Sequence, residues 1–110
     1  MHGRKTMSDM TFTESDIALI KKLGGRIEES QDGARIDPKN LSINIALHDN
    51  GEYKCYLADS VFMIQKVAYG WTLAEAINAA CNHFKQDYAI VSQAVTAIDA
   101  IMGKMTEEKE

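Results

Sequence analysis

The chain has 110 residues, 45% of them hydrophobic, with a formal net charge of -4 and an isoelectric point near 5.3. A chain of this length builds one modest core, so we expect a single α+β domain at residues 12–105. Its mildly acidic balance argues against binding a phosphate backbone through bulk electrostatics, which leaves nucleic acid an unfavoured partner.

The first segment, residues 1–11, shows no hydrophobic periodicity, and we expect it to be a disordered leader. It lacks the apolar core of a signal peptide, and no apolar run in the chain reaches about 18 residues. The sequence therefore predicts a cytoplasmic protein without a membrane partner. Cys55 and Cys81 fall within apolar patterns, where reduced thiols act as small hydrophobic side chains.

A first helix is expected from about Glu14 to Leu23. Thr13 stands at its start, and Asp16 three residues later completes an approximate capping box. Gly24 follows the helix and supplies the left-handed conformation that many helix C-termini adopt.

The next stretch is polar and contains two short candidate strands, residues 26–29 and 34–36, before the only proline of the chain, Pro38. Because proline donates no backbone hydrogen bond and restricts the residue before it, Pro38 ends whatever precedes it. We expect this stretch to add at most a further short N-terminal strand.

A β-hairpin is the clearest β-signal in the sequence. Apolar and polar residues alternate over residues 41–48 and again over residues 52–58, which is typical of half-buried strands. A three-residue loop, Asp49-Asn50-Gly51, sets Leu47 opposite Tyr53 and keeps the apolar faces together, with Gly51 left-handed. A third strand is expected from Val61 to Tyr69, which completes a three-stranded antiparallel β-meander.

The C-terminal segment predicts a long helix, from Thr72 to Met105, packed on the sheet. Thr72 and Glu75 form a capping box at its start, and Trp71 just before it is expected to anchor the turn in the core or at its edge. An apolar stripe follows at helical spacing for about four heptads. Either the helix is continuous, or it folds back near Gln86-Asp87.

A continuous helix would extend beyond its own sheet, so part of the stripe would meet a second copy of the chain. We therefore expect a homodimer. The residues predicted to form its self-association surface are Tyr88, Val91, Val95, Ile98 and Met102. The charged tail, residues 106–110, is expected to fray.

No catalytic, cofactor-binding or metal-binding pattern is recognisable in the sequence. The imidazoles of His48 and His83 have no predicted nucleophile or carboxylate beside them, and no metal-ligand spacing occurs. The chain is therefore expected not to be an enzyme and to bind a protein instead, through the exposed hairpin residues Tyr56, Asp49 and Glu52.

The segment Tyr69-Gly70-Trp71-Thr72-Leu73-Ala74-Glu75-Ala76-Ile77-Asn78-Ala79 resembles the strand-to-helix junction of HicB-type antitoxin domains. It also resembles small phage-encoded domains in which helices flank a β-sheet. Both likenesses cover about residues 41–84. The phage resemblance implies an accessory protein that inhibits or adapts a host protein, which includes an anti-defence role. The alternative is a HicB-like antitoxin that neutralises a small basic toxin.

Overall fold

The computed structural model describes residues 10–37, 41–61, 63–87 and 92–107, and within these ranges it is an α+β fold of three helices and five strands. The helices are α1 (Glu14–Lys22), α2 (Leu73–Asp87) and α3 (Ser92–Glu107). The strands are β1 (Arg26–Ile27), β2 (Gly33–Ile36), β3 (Leu41–Leu47), β4 (Tyr53–Asp59) and β5 (Ile64–Gly70). Most of the predicted leader and residues 108–110 of the predicted tail lie outside the described residues.

Helix α1 begins with the capping box that the sequence predicts. The Asp16 backbone N–H donates to the Thr13 hydroxyl (3.1 Å), and the Thr13 N–H donates to the Asp16 carboxylate (3.2 Å). Two backbone donors at the helix start thereby gain partners. The helix ends at Lys22, and Gly24 follows in the left-handed region with φ of 86°.

The described strands form one antiparallel sheet in the order β1-β2-β3-β4-β5. The predicted three-stranded meander corresponds to β3, β4 and β5, and the prediction of three strands is wrong because β1 and β2 also belong to the sheet. Strand β2 buries only Ala34 and Ile36, on either side of the exposed Arg35. Two buried positions are a weak pattern, which explains why the sequence indicated this part of the sheet only faintly.

The β3–β4 hairpin has the predicted register, with Leu47 opposite Tyr53 and Ile45 opposite Cys55. Its loop closes through the Gly51 N–H, which donates to the His48 carbonyl (2.9 Å), and Gly51 has φ of 92°. An L side chain rarely adopts this backbone conformation, which is why a glycine stands here.

Strand β5 begins at Ile64, three residues later than predicted from the run of β-branched and apolar residues. Met63 has φ of 59°, outside the extended region, so the chain still turns at this point. The turn leaves Val61 and Met63 exposed instead of placing them in the strand.

The predicted continuous helix from Thr72 to Met105 is wrong. The Lys85 ammonium in α2 contacts the Asp99 carboxylate in α3 at 2.6 Å. In a straight helix these residues would be about 21 Å apart along the axis, beyond the reach of their side chains. Helix α3 therefore folds back beside α2, the alternative that the sequence left open.

Both helices contribute to one hydrophobic core on a single face of the sheet. Helix α2 buries Ile77, Cys81 and Phe84 completely, and α3 buries Ile98 completely. The core residues of the strands are Ala34, Ile36, Leu41, Ile43, Ile45, Leu47, Tyr53, Cys55, Leu57 and Ala68. The strand residues between them point to the opposite face, which we call the outer face.

Candidate functional site

The outer face carries the candidate site, because the helices pack against the other side of the sheet. Strand pairing aligns its residues in rows across the sheet. One row holds Asn44, Tyr56 and Val67, and the next holds Ala46, Lys54 and Tyr69. Side chains two residues apart on one strand lie on the same face, so these two rows are neighbours.

A cavity of about 360 Å³ opens on this face. It is lined by Asn44, Ile45, Ala46, Lys54 and Tyr56. The small side chain of Ala46 leaves the space, and the longer side chains of Lys54 and Tyr56 border it. A concave site with apolar walls and a few polar groups is the usual form of a binding site.

Most of the large exposed apolar side chains lie in β5 or next to it in the sequence. Of the six in the described part of the chain, five lie between residues 61 and 71, and the sixth is Met10. Val67, Tyr69 and Trp71 are 39%, 49% and 62% exposed. Val67 and Tyr69 lie on the outer face of β5, and Trp71 is the first residue after the strand ends. We call these three residues the β5 ridge.

Trp71 departs from its predicted role as an anchor in the core or at its edge. Its side chain is 62% exposed, and the turn is held instead by two hydrogen bonds from backbone N–H groups to side chains. The Trp71 N–H donates to the Glu75 carboxylate (3.0 Å), and the Glu75 N–H donates to the Thr72 hydroxyl (3.1 Å).

Of the predicted partner-binding residues, Tyr56 lies in the middle of the outer face, and Asp49 and Glu52 lie at its hairpin end. Tyr56 lines the cavity, and Glu52 follows the same alternation nearer the hairpin loop, where it is half-buried. Asp49 is exposed in the loop itself. Sequence reasoning missed Lys54 and the β5 ridge. The alternation of residues 52–58 could have indicated Lys54, since Lys54 shares a face with Tyr56.

Of the five residues of the predicted self-association surface, the structure describes three. Ile98 is fully buried in the core of its own chain and cannot face a second copy. Val95 and Met102 are half-buried, while Tyr88 and Val91 lie outside the described residues. Self-association itself stays a prediction, but Ile98 is not part of its surface.

The titratable groups with perturbed pKa values lie on the core side of the sheet. Burial raises the pKa of the Cys81 thiol to about 12 and also raises the pKa of Cys55. Both cysteines are free and buried. Burial and a hydrogen bond to the Asp16 carboxylate (2.5 Å) raise the pKa of the Tyr53 hydroxyl. These groups stay neutral near pH 7 and are poor nucleophiles.

Of the three histidines in the sequence, the structure describes His48 and His83. Within the described ranges, neither His48 nor His83 makes an ion pair with a carboxylate, and the His48 ring lies edge-on to Tyr69 with 6.3 Å between ring centroids. Among the same residues no cluster of three or more histidine, cysteine or acidic side chains could hold a metal ion. None of the helices described combines the length and apolar character that crossing a membrane requires.

No family model, curated protein or solved structure matches the chain.

Proposed function

We propose that the protein acts by stoichiometric binding of another protein, without catalysis, and that the outer face of the sheet is its binding surface. The observation that carries this proposal is the β5 ridge: the exposed Val67 and Tyr69 lie opposite the cavity residues Tyr56 and Lys54, and the exposed Trp71 follows directly after the strand. Contiguous exposed apolar side chains are typical of interaction sites, and tyrosine and tryptophan are the residues that most often dominate binding energy.

Lys54 defines the chemistry expected of the partner. Its side chain is half-buried, and within the described part of the chain no carboxylate lies within ion-pair distance of its ammonium group. The partner expected here covers the cavity with an apolar group and brings a carboxylate to the Lys54 ammonium group.

The partner proposed from this charge is an acidic or neutral host protein, in keeping with an accessory protein of phage origin. A small basic toxin would place its positive charge beside Lys54, which costs energy. The outer face thus supports the accessory-protein proposal more than the antitoxin alternative, although Asp49 and Glu52 at the hairpin end offer a basic partner some negative charge.

Capture from a host lysate tests the proposal when parent and variants are compared. Tyr69→Ser and Trp71→Ser each remove an exposed aromatic, and each should weaken binding of the captured protein about thirtyfold, from about 2 kcal/mol per aromatic hot spot. Lys54→Glu should weaken it further by charge reversal. Met63→Ser is the matched control, because it also replaces an exposed large apolar side chain and lies in the β4–β5 turn, at the other end of the sheet from the hairpin loop.

The captured protein is then purified and its affinity is measured with each variant after nuclease treatment. Equal affinities for parent, Tyr69→Ser and Trp71→Ser would refute the outer face as the binding surface. Capture that nuclease abolishes would mean that nucleic acid, not protein, is the partner.

A further inference from the structure

Strand β5 is the edge of the described sheet, and the hairpin determines which of its backbone groups point outward. The His48 N–H donates to the Glu52 carbonyl (2.9 Å), so outer-face residues of β3 and β4 bond each other. Hydrogen-bonding direction alternates along an antiparallel strand. Inner-face residues of β4 therefore bond β5, and Gln65, Val67 and Tyr69 of β5 direct their N–H and C=O groups away from the sheet.

Among the described residues, this edge lacks the features that usually keep strand edges from pairing, namely proline, outward charges and a covering segment. The three residues that present free backbone groups, Gln65, Val67 and Tyr69, are neutral and have exposed side chains. The only charged residue of the strand, Lys66, lies on the inner face and pairs with Asp87 of α2. Neutral side chains and free backbone groups thus coincide at the same positions.

We propose that β5 pairs antiparallel with β5 of a second copy of the chain, about a two-fold axis at Val67. This register joins Val67 to Val67 of the partner subunit and Gln65 to Tyr69 of the partner subunit, which gives six backbone hydrogen bonds. Lys66 then lies opposite Ala68 of the partner subunit, where no like charge meets it.

The neighbouring registers are poorer. An axis at Lys66 would place two lysines opposite each other, which destabilises a strand pair. An axis at Ala68 would pair Gln65 with Trp71, whose N–H already donates to Glu75. The second copy is therefore the occupant that fits this edge, because its own β5 is complementary in backbone and in charge.

Pairing of this kind joins the outer faces of both copies into one surface. The β5 ridge of each copy then lies beside the seam, the line along which the two β5 strands pair. The dimer expected from the sequence would then form through the sheet edge and not through the helix stripe. The inference needs no partner protein, so its test is independent of the proposed function.

Light scattering across a dilution series tests the pairing, since a dimer has twice the chain mass of 12.2 kDa. Val67→Lys sets two lysines at the axis and should raise the dimer dissociation constant about tenfold or more. Ala58→Lys is the matched control, with the same added charge on the same face but on β4, and should leave the dimer intact. A parent that is monomeric throughout, or a Val67→Lys dimer as tight as the parent, would overturn the proposal.

Disulfide trapping tests the register and remains informative if Val67→Lys unfolds. Val67→Cys should cross-link two copies under mild oxidation, because facing residues in a hydrogen-bonded strand pair lie about 5.5 Å apart between Cα atoms. Gln65→Cys should not, since each Gln65 faces Tyr69 of the partner subunit. Cross-linking through Gln65→Cys but not Val67→Cys would contradict the axis at Val67. The native cysteines are buried and do not compete.

Discussion

Replacing Ile98 with alanine tests whether α3 packs on its own chain or extends to another chain. Ile98 is 0% exposed within its own chain. The change removes three carbon atoms, worth about 2.4 kcal/mol of apolar burial, and leaves a cavity that the core fills only in part. We expect the free energy of unfolding to fall by about 3 kcal/mol, a large share of the stability of a small domain.

Urea unfolding followed by far-UV circular dichroism measures this loss, with the same slope in urea expected for parent and variant. Thr96→Ala is the control on the same helix, because Thr96 is exposed, and it should change stability by less than about 0.5 kcal/mol. A loss below about 1 kcal/mol for Ile98→Ala, or a loss that grows as the protein is diluted, would show that Ile98 packs between chains and would refute the reasoning.

Two further predictions concern glycine packing and alkaline pH. Gly70→Ala should destabilise the fold by about 3 kcal/mol, because the added Cβ would lie 2.6 Å from the Ala76 backbone nitrogen. Gly103→Ala on α3 adds a Cβ that meets nothing within 4 Å, so it should stabilise the fold by about 1 kcal/mol. Thermal melting of the two variants and the parent measures both changes. Burial raises the pKa of the Cys81 thiol from 9.0 to about 12. The contribution of the buried neutral thiol to the free energy of unfolding is therefore complete below pH 9 and is lost as the pH rises toward 12. Cys81→Ala should therefore show a shallower fall in unfolding free energy between pH 9 and 11, and an identical fall would contradict the assignment.

The hairpin was predictable because its signals are local. Alternation over residues 41–48 and 52–58 defines the two faces, and the Asn50-Gly51 pair restricts the loop to few geometries. The capping box of α1 is local in the same way. Such features depend on residues that are close in the sequence, and the structure shows the predicted hairpin register and the predicted capping box.

The break in the C-terminal helix could not be assigned from the sequence because no local signal marks it. Helix α2 ends at Asp87, and the segment from Leu73 to Asp87 contains neither proline nor glycine. An apolar stripe at helical spacing looks the same whether it meets its own sheet or a second chain. The stripe through Ile98 could be assigned to the core of its own chain only once the structure showed α3 folded back beside α2.

The candidate site could be predicted only in part because its two components depend on different information. Tyr56 follows from alternation within the hairpin, as does its neighbour Lys54. The exposure of Tyr69 and Trp71 depends on which face of β5 the helices cover, and a strand that reads as apolar on both faces does not reveal this.

Side-chain direction and hydrogen-bond direction share a period of two residues along a strand, and at β5 this couples the two proposals. The residues whose side chains extend the outer face, Val67 and Tyr69, are also those whose backbone groups point off the sheet edge. A strand from a second copy would pair with that backbone and leave the side chains on the outer face uncovered by the pairing itself. Dimer formation would thus preserve the β5 ridge for a partner protein and double it across the seam, which favours a partner that contacts both copies over one that competes for the edge.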